Sequence, residues 1–214
     1  MGINFGDMNP APAAPAAPIQ EVQTSNGTVT LNLEKGAVLD LTKRNPGLKN
    51  VVLAAGWDTS AGGAAFDLDI AAFMLNANNK ISSGNDVVFF GNLSAPGVKL
   101  NGDNLTGEGE GDDETMNIDL SAVPADKTSI VFVVTIYDAV NRRQTFGMVN
   151  NSYVRLLDAD NRNREICRFL LKDDASTSTA MIFAKLKKNN GEWEFEAIGE
   201  GKSGDLNAIA AMYS

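Results

Sequence analysis

The sequence predicts an all-β fold, a two-layer antiparallel β-sandwich with a short C-terminal helix. Three observations predict it. Short apolar runs recur along most of the chain, separated by turns rich in Asn, Gly and Asp. β-Branched and aromatic residues fill those runs, as a pleated and half-buried surface requires. The one segment with sustained helical spacing lies at the very C-terminal end.

Taken in order, "NPAPAAPAAPIQ" (residues 9–20) has four prolines and no periodic apolar face, so it reads as an extended spacer. Residues 1–26 are therefore expected to be a disordered Pro/Ala-rich extension, and residues 27–214 the folded domain. "TVTLNL" alternates and "AVLDL" follows across the turn "EKG". "NVVLAAGW" reads as a buried strand, and "FDLDIAAFML" alternates before becoming wholly apolar. "DVVFFG", "ETMNIDL", "SIVFVVTIYD", "YVRLLDAD", "EICRFLL", "TAMIFAKLKK" and "EWEFEAIG" complete about eleven strands, with "NANNK", "NLSAPG", "DADNRN" and "KKNNG" as loops. "NRRQTFGMV" reads as a short helical turn. "SGDLNAIAAMYS" places Leu206, Ile209 and Ala210 on one helical face, with Ser203 or Asp205 as cap. Eleven strands suit a single-core sandwich, with a closed barrel as the alternative.

Composition narrows the function. The 27 acids against 18 bases leave a net charge of −9, which nucleic-acid phosphates and anionic membrane surfaces repel, so no nucleic acid is expected as a partner. With no histidine, serine–histidine triads and histidine-ligated metals are out of reach. Cys167 stands alone, so there is no internal disulfide and a reducing compartment is expected. No run of eighteen apolar residues exists, so no direct membrane insertion is expected. "MGINFGDMNP" has neither a basic n-region nor an apolar h-region, which makes the expected location cytoplasmic.

The acidic residues carry the chemistry. "GDNLTGEGEGDDE" (residues 102–114) holds six carboxylates and four glycines without a Lys or Arg. Two carboxylates about 6 Å apart repel by roughly 0.7 kcal/mol in water and about four times that at an effective dielectric of 20. Such a loop must splay into solvent or share a cation. Its glycines let it curl many hard oxygens around one point, the arrangement Ca²⁺ requires and stricter Mg²⁺ does not favour. It is not an EF-hand, since Glu108 takes the place of the required glycine and the flanks read as strands. Upstream, Asp67 and Asp69 leave one face of a strand about 7 Å apart, among apolar neighbours that make their charge costly. Loop and pair together point to a divalent-cation site at one end of the sandwich, binding one or two ions.

At these residues the sequence resembles the TerD family of tellurium-resistance and stress-response proteins. The resemblance runs through "LEKGAVLDLTK", "GWD" with "FDLDIAAFML", the loop "GDNLTGEGEGDDE", "VFVVTIYDAVNRRQTFGMVNNSYVRLLD", "DDASTSTAMIFAKL" and "EWEFEAIGEG", roughly residues 28–213. It implies a β-sandwich that binds Ca²⁺ through residues matching Asp67, Asp69, Asp103, Asn104, Glu108, Asp112, Asp113 and Glu114. It also implies a non-enzymatic module working with other proteins of the tellurite-resistance cluster, among them an integral membrane partner. A slime-mould cyclic-nucleotide-binding protein shares the fold family. That keeps open an alternative, a metal-dependent sensor or enzyme for a nucleotide or oxyanion. A reductase would want a redox motif or paired thiols, and there is one cysteine. The Pro/Ala-rich extension departs from the family pattern.

Overall fold

The computed structural model of the chain describes residues 18–23, 29–59, 66–101, 112–171 and 176–214. The apolar runs pair into two sheets. The first contains β1 (Ile19–Gln23), β2 (Val29–Leu33), β12 (Arg164–Leu170), β11 (Val149–Asp158), β4 (Asn50–Thr59), β9 (Glu114–Asp119), β8 (Val98–Leu100) and β7 (Ser94–Ala95), in that spatial order. The second runs β3 (Val38–Asp40), β14 (Glu192–Lys202), β13 (Ala180–Asn189), β10 (Lys127–Ile136), β5 (Leu68–Asn76) and β6 (Val87–Val88). Neighbouring strands are antiparallel except β2 and β12, which pair in parallel through Leu31 and Cys167.

Alternation explains the layering. Leu53 from the first sheet and Leu68, Ile70, Phe132, Phe183 and Phe195 from the second fill the space between the sheets. The other face of the second sheet is apolar as well. Ala71, Phe73, Val131, Val133 and Ile182 lie there under Ile209 of a C-terminal helix, α3 (Leu206–Met212). β5 is thus covered on both sides, which is why "AAFML" stops alternating. α3 is capped as expected, the Asp205 carboxylate accepting from the Ala208 amide at 2.9 Å.

All eleven predicted runs form strands, β2 to β6 and β9 to β14. Four features differ from expectation. Residues 19–23, inside the segment expected to be disordered, form β1, its register running from Ile19 opposite Leu33 to Gln23 opposite Val29. The open side of β2 supplies backbone partners that local composition does not announce, and only Ile19 of β1 packs on the core. Residues 1–17 and 24–26 of that extension lie outside the described residues. Within "NLSAPGVKL", the short strands β7 and β8 form a hairpin that composition reads as loop. Gly97 makes its turn possible: φ is +82°, and a Cβ there would sit 2.7 Å from the Val123 amide nitrogen. Finally, "AVLDL" ends in a one-turn helix, α1 (Leu41–Arg44), and the helical turn expected at "NRRQTFGMV" starts two residues earlier and takes in only Asn141 and Arg142 of "NRRQ", as α2 (Ala139–Arg142), bracketed by Asp138 and Arg143 in left-handed conformation.

Both Trp57 and Trp193 are buried, as is Cys167, whose thiol burial pushes well up out of the reactive range. Stability should therefore rest on the inter-sheet core and little on β1. Phe183→Ala is expected to cost about 3–5 kcal/mol. Deleting residues 1–23 is expected to cost about 1 kcal/mol, the worth of one half-buried Ile. Urea melts of the two variants beside the parent check the ordering.

Candidate metal centre

Four strand ends meet at one end of the sandwich: the C-terminal ends of β4 and β10 and the N-terminal starts of β5 and β9. β9 begins where the acidic loop ends. The Asp113 amide donates to the Ala55 carbonyl at 2.9 Å, and the Asp113 carboxylate accepts from the Trp57 amide at 2.9 Å. The next residue crosses between the sheets, Glu114 Oε2 accepting from the Ile70 amide of β5 at 2.6 Å. β6 pairs only with Ala72 and Phe73, so the Ile70 amide lies beyond its reach and the carboxylate takes the place of a strand neighbour.

Asp67 and Asp69 come from the start of β5. Asp67 is held by its own carbonyl, which accepts from the Tyr137 amide at 2.8 Å, and Asp69 stands opposite Thr135 of β10. By the alternation of β5 they share the face of Ala71 and Phe73, the side that α3 covers. Relative exposure is 7% for Asp67, 6% for Asp69 and 2% for Glu114. Three carboxylates more than nine-tenths buried at one end of a fold are costly, each uncompensated charge being worth several kcal/mol.

Asp112 has a different situation. Arg155 of β11 grips it bidentately, Nε to Oδ1 at 2.8 Å and Nη2 to Oδ2 at 2.7 Å, while the Tyr153 hydroxyl donates to Oδ1 at 3.1 Å. Three donors occupy most of the lone pairs of this carboxylate, so in this structure Asp112 anchors the end of the acidic loop to the first sheet. Arg155 also donates to Glu165, which takes further bonds from Arg168 and the Thr30 hydroxyl. Arg168 lies over the Tyr153 ring at 4.5 Å. Arg155 sits more than forty residues after the loop, and no sequence pattern links the two. Its apolar neighbours Val154 and Leu156, alternating into the core, are the only signal that it faces outward.

Of the predicted ligands, Asp67, Asp69, Asp113 and Glu114 thus gather around the start of β5 and β9. Asp103, Asn104 and Glu108 lie outside the described residues. Among the described residues, no group of three or more acidic side chains is placed so that it could hold a metal ion. The donor chemistry nonetheless fits a hard cation: the donors are carboxylate oxygens, and those of half-buried Asp113 and buried Glu114 are oriented by backbone amides.

A β-sandwich with a glycine-rich acidic loop entering at an end of buried carboxylates is the class of protein that fold and site define. The family model for the TerD domain matches residues 29–213. The Tellurium resistance protein TerD of Serratia marcescens is 46% identical over 188 residues, covering 86% of this chain and 97% of that protein. General stress protein 16U of Bacillus subtilis is 48% identical over 189 residues, with 86% and 97% covered. A solved homologue of the telluride resistance protein TerD from Streptomyces coelicolor superposes with a TM-score of 0.64 at 27% identity, covering 78% of this chain and 99% of that one. The chain belongs to the TerD family. β1 precedes the matched segment. Among the described residues no helix is long and apolar enough to cross a membrane.

The network around Arg155 predicts an acid-sensitive contribution. Burial alone would raise the Glu165 carboxyl, but hydrogen bonds from Arg168, Arg155 and Thr30 outweigh it and hold the group below its ordinary 4.5. A lowered folded pKa gives stability that is complete above the unfolded value and lost as pH falls through the folded one. Glu165→Gln should therefore cost about 1–2 kcal/mol at neutral pH. Its gap from the parent should close once the pH has fallen well below the ordinary 4.5. Urea midpoints measured across the acid limb give the comparison, and a gap independent of pH would assign the loss to packing.

Proposed function

We propose that this chain is a calcium-binding, non-enzymatic module of a tellurite-resistance and stress-response system, acting through partner proteins. The observation that carries the reading is the burial of Asp67, Asp69 and Glu114, from two different sheets, at the end where the acidic loop joins β9. Asp67 and Asp69 offer oxygens from β5, and Asp113 and Glu114 offer theirs from the loop's end. Asp103, Asn104 and Glu108 would complete the set. Bound calcium would neutralise the clustered charge and tie the loop to both sheets, leaving Asp112 as the loop's fixed end. The names of the relatives, resistance and stress proteins, support the physiological setting. Partners would be other proteins of that resistance system, and the metal's task would be to shape the surface they meet.

Calorimetric titration should give Ca²⁺ a dissociation constant in the micromolar range or tighter, with Mg²⁺ weaker because its geometry is stricter. Asp69→Asn should weaken calcium at least about tenfold, equivalent to ~1.4 kcal/mol. At about one hundred times its dissociation constant calcium should raise stability by ~2.7 kcal/mol per site. No heat at millimolar calcium, or equal stabilisation by NaCl alone, would overturn the site.

A further inference from the structure

A cavity of about 650 Å³ opens on the face of the second sheet that carries α3. Asp69 and Thr135 contribute to it from β5 and β10; Phe89, Phe90 and Tyr137 supply aromatic rings, and residues 205–208 bring the start of α3. The rings form a chain of edge contacts, Phe89 to Phe90 at 5.2 Å and Phe90 to Tyr137 at 6.4 Å. Burial is the rule for large rings in this fold, yet Phe90 is 47% and Tyr137 49% exposed. Neighbouring Val140 is 81% exposed. A ligand-sized concavity walled by half-exposed rings is a binding surface in search of apolar contact.

Charge selects the ligand. Asp69, Asp138 and Asp205 all line the cavity, and no Lys or Arg is among its lining residues. Asp138 accepts from the Asn141 amide at 2.6 Å and Asp205 from the Ala208 amide at 2.9 Å, which leaves acceptor capacity on each carboxylate. The chain's net charge of −9 adds a long-range attraction for cations and a barrier to anions. The Arg142 guanidinium lies 5.3 Å from the Tyr137 ring centroid, a cation–ring contact that the ligand's own charge would replace. We propose that this cavity binds an organic cation, an amine or quaternary ammonium on an apolar body, seated against Phe90 and Tyr137 with its charge countered by Asp138 and Asp205.

The test leaves the calcium donors untouched, so its failure and that of the proposed calcium site are separable. The full chain, with calcium present, is titrated with benzyltrimethylammonium while the aromatic ring signals are followed by NMR. Saturable shifts of Phe89, Phe90 and Tyr137 are expected, with a dissociation constant of about 1 mM or below. Choline should bind at least about tenfold more tightly than its neutral isostere 3,3-dimethylbutan-1-ol, since a cation–ring contact is electrostatic. Tyr137→Ala and Asp138→Asn should each weaken the cation several-fold and leave calcium affinity unchanged. Asp138 has φ +51°, a conformation Asn adopts readily, so that exchange removes charge without straining the turn. A trilysine peptide binding more tightly than the small cation would name a partner's basic side chain as the source; the reverse order would name a free amine. Equal affinity for choline and the alcohol, or no saturation, overturns the proposal.

Discussion

The bond from the Ile70 amide to Glu114 is the contact around which the functional end of the molecule is arranged. It exists because β6 is only two residues long and leaves an amide of β5 without a strand neighbour. A carboxylate reaching across from the other sheet fills that role, so the first residue of β9 is fixed relative to the first residues of β5. Everything proposed for this end inherits that registration. The Asp-x-Asp pair lies beside Ile70 on the same strand, and the acidic loop must enter where β9 starts. Asp69 in turn lines the aromatic cavity on the α3 side.

The described acids meet their cost by two routes. Asp112 and Glu165 lean on guanidinium groups, with Arg155 bridging them on the outer face of the first sheet. Burial and the Asp112 charge push the Tyr153 hydroxyl up, and it donates to that carboxylate. Asp113 and Glu114 use main-chain amides. An amide orients a carboxylate without cancelling its charge, and these are the positions where a bound cation would add most.

The strands were readable because their burial follows a period of two: Val, Ile and Phe at alternate positions mark the core face whatever the partner strand is. Asp67 and Asp69 stood out because the same period puts both carboxylates on one face of the strand among apolar neighbours. The rest depends on groups distant in sequence. β1 is a strand because β2 offers an open side, and "IQEVQ" has little apolar content of its own. Arg155 reads as an ordinary outward-facing residue until Asp112 is placed beside it. Asp112 has no basic partner in the neighbouring sequence and gains one in space, Arg155. The cavity was likewise illegible, since Phe90, Tyr137 and Asp205 come from three separated segments.

The parallel pairing of β2 with β12 sets the order in which the chain can fold. Thr30 bonds Glu165 across 135 residues, and the Thr42 hydroxyl accepts from the Trp193 amide across 151. β3 likewise pairs with β14. At a synthesis rate of about 5–20 residues per second, β2 and β3 wait roughly 8–30 s for these partners to be made. Antiparallel neighbours such as β4 with β9, or β5 with β10, are closer in sequence and wait roughly 3–14 s. The nascent sandwich thus begins in its middle and closes last at its N-terminal strands, β2 with one side open beside β1 and β3 without a neighbour, apolar-alternating edges that a chaperone or another nascent copy can reach.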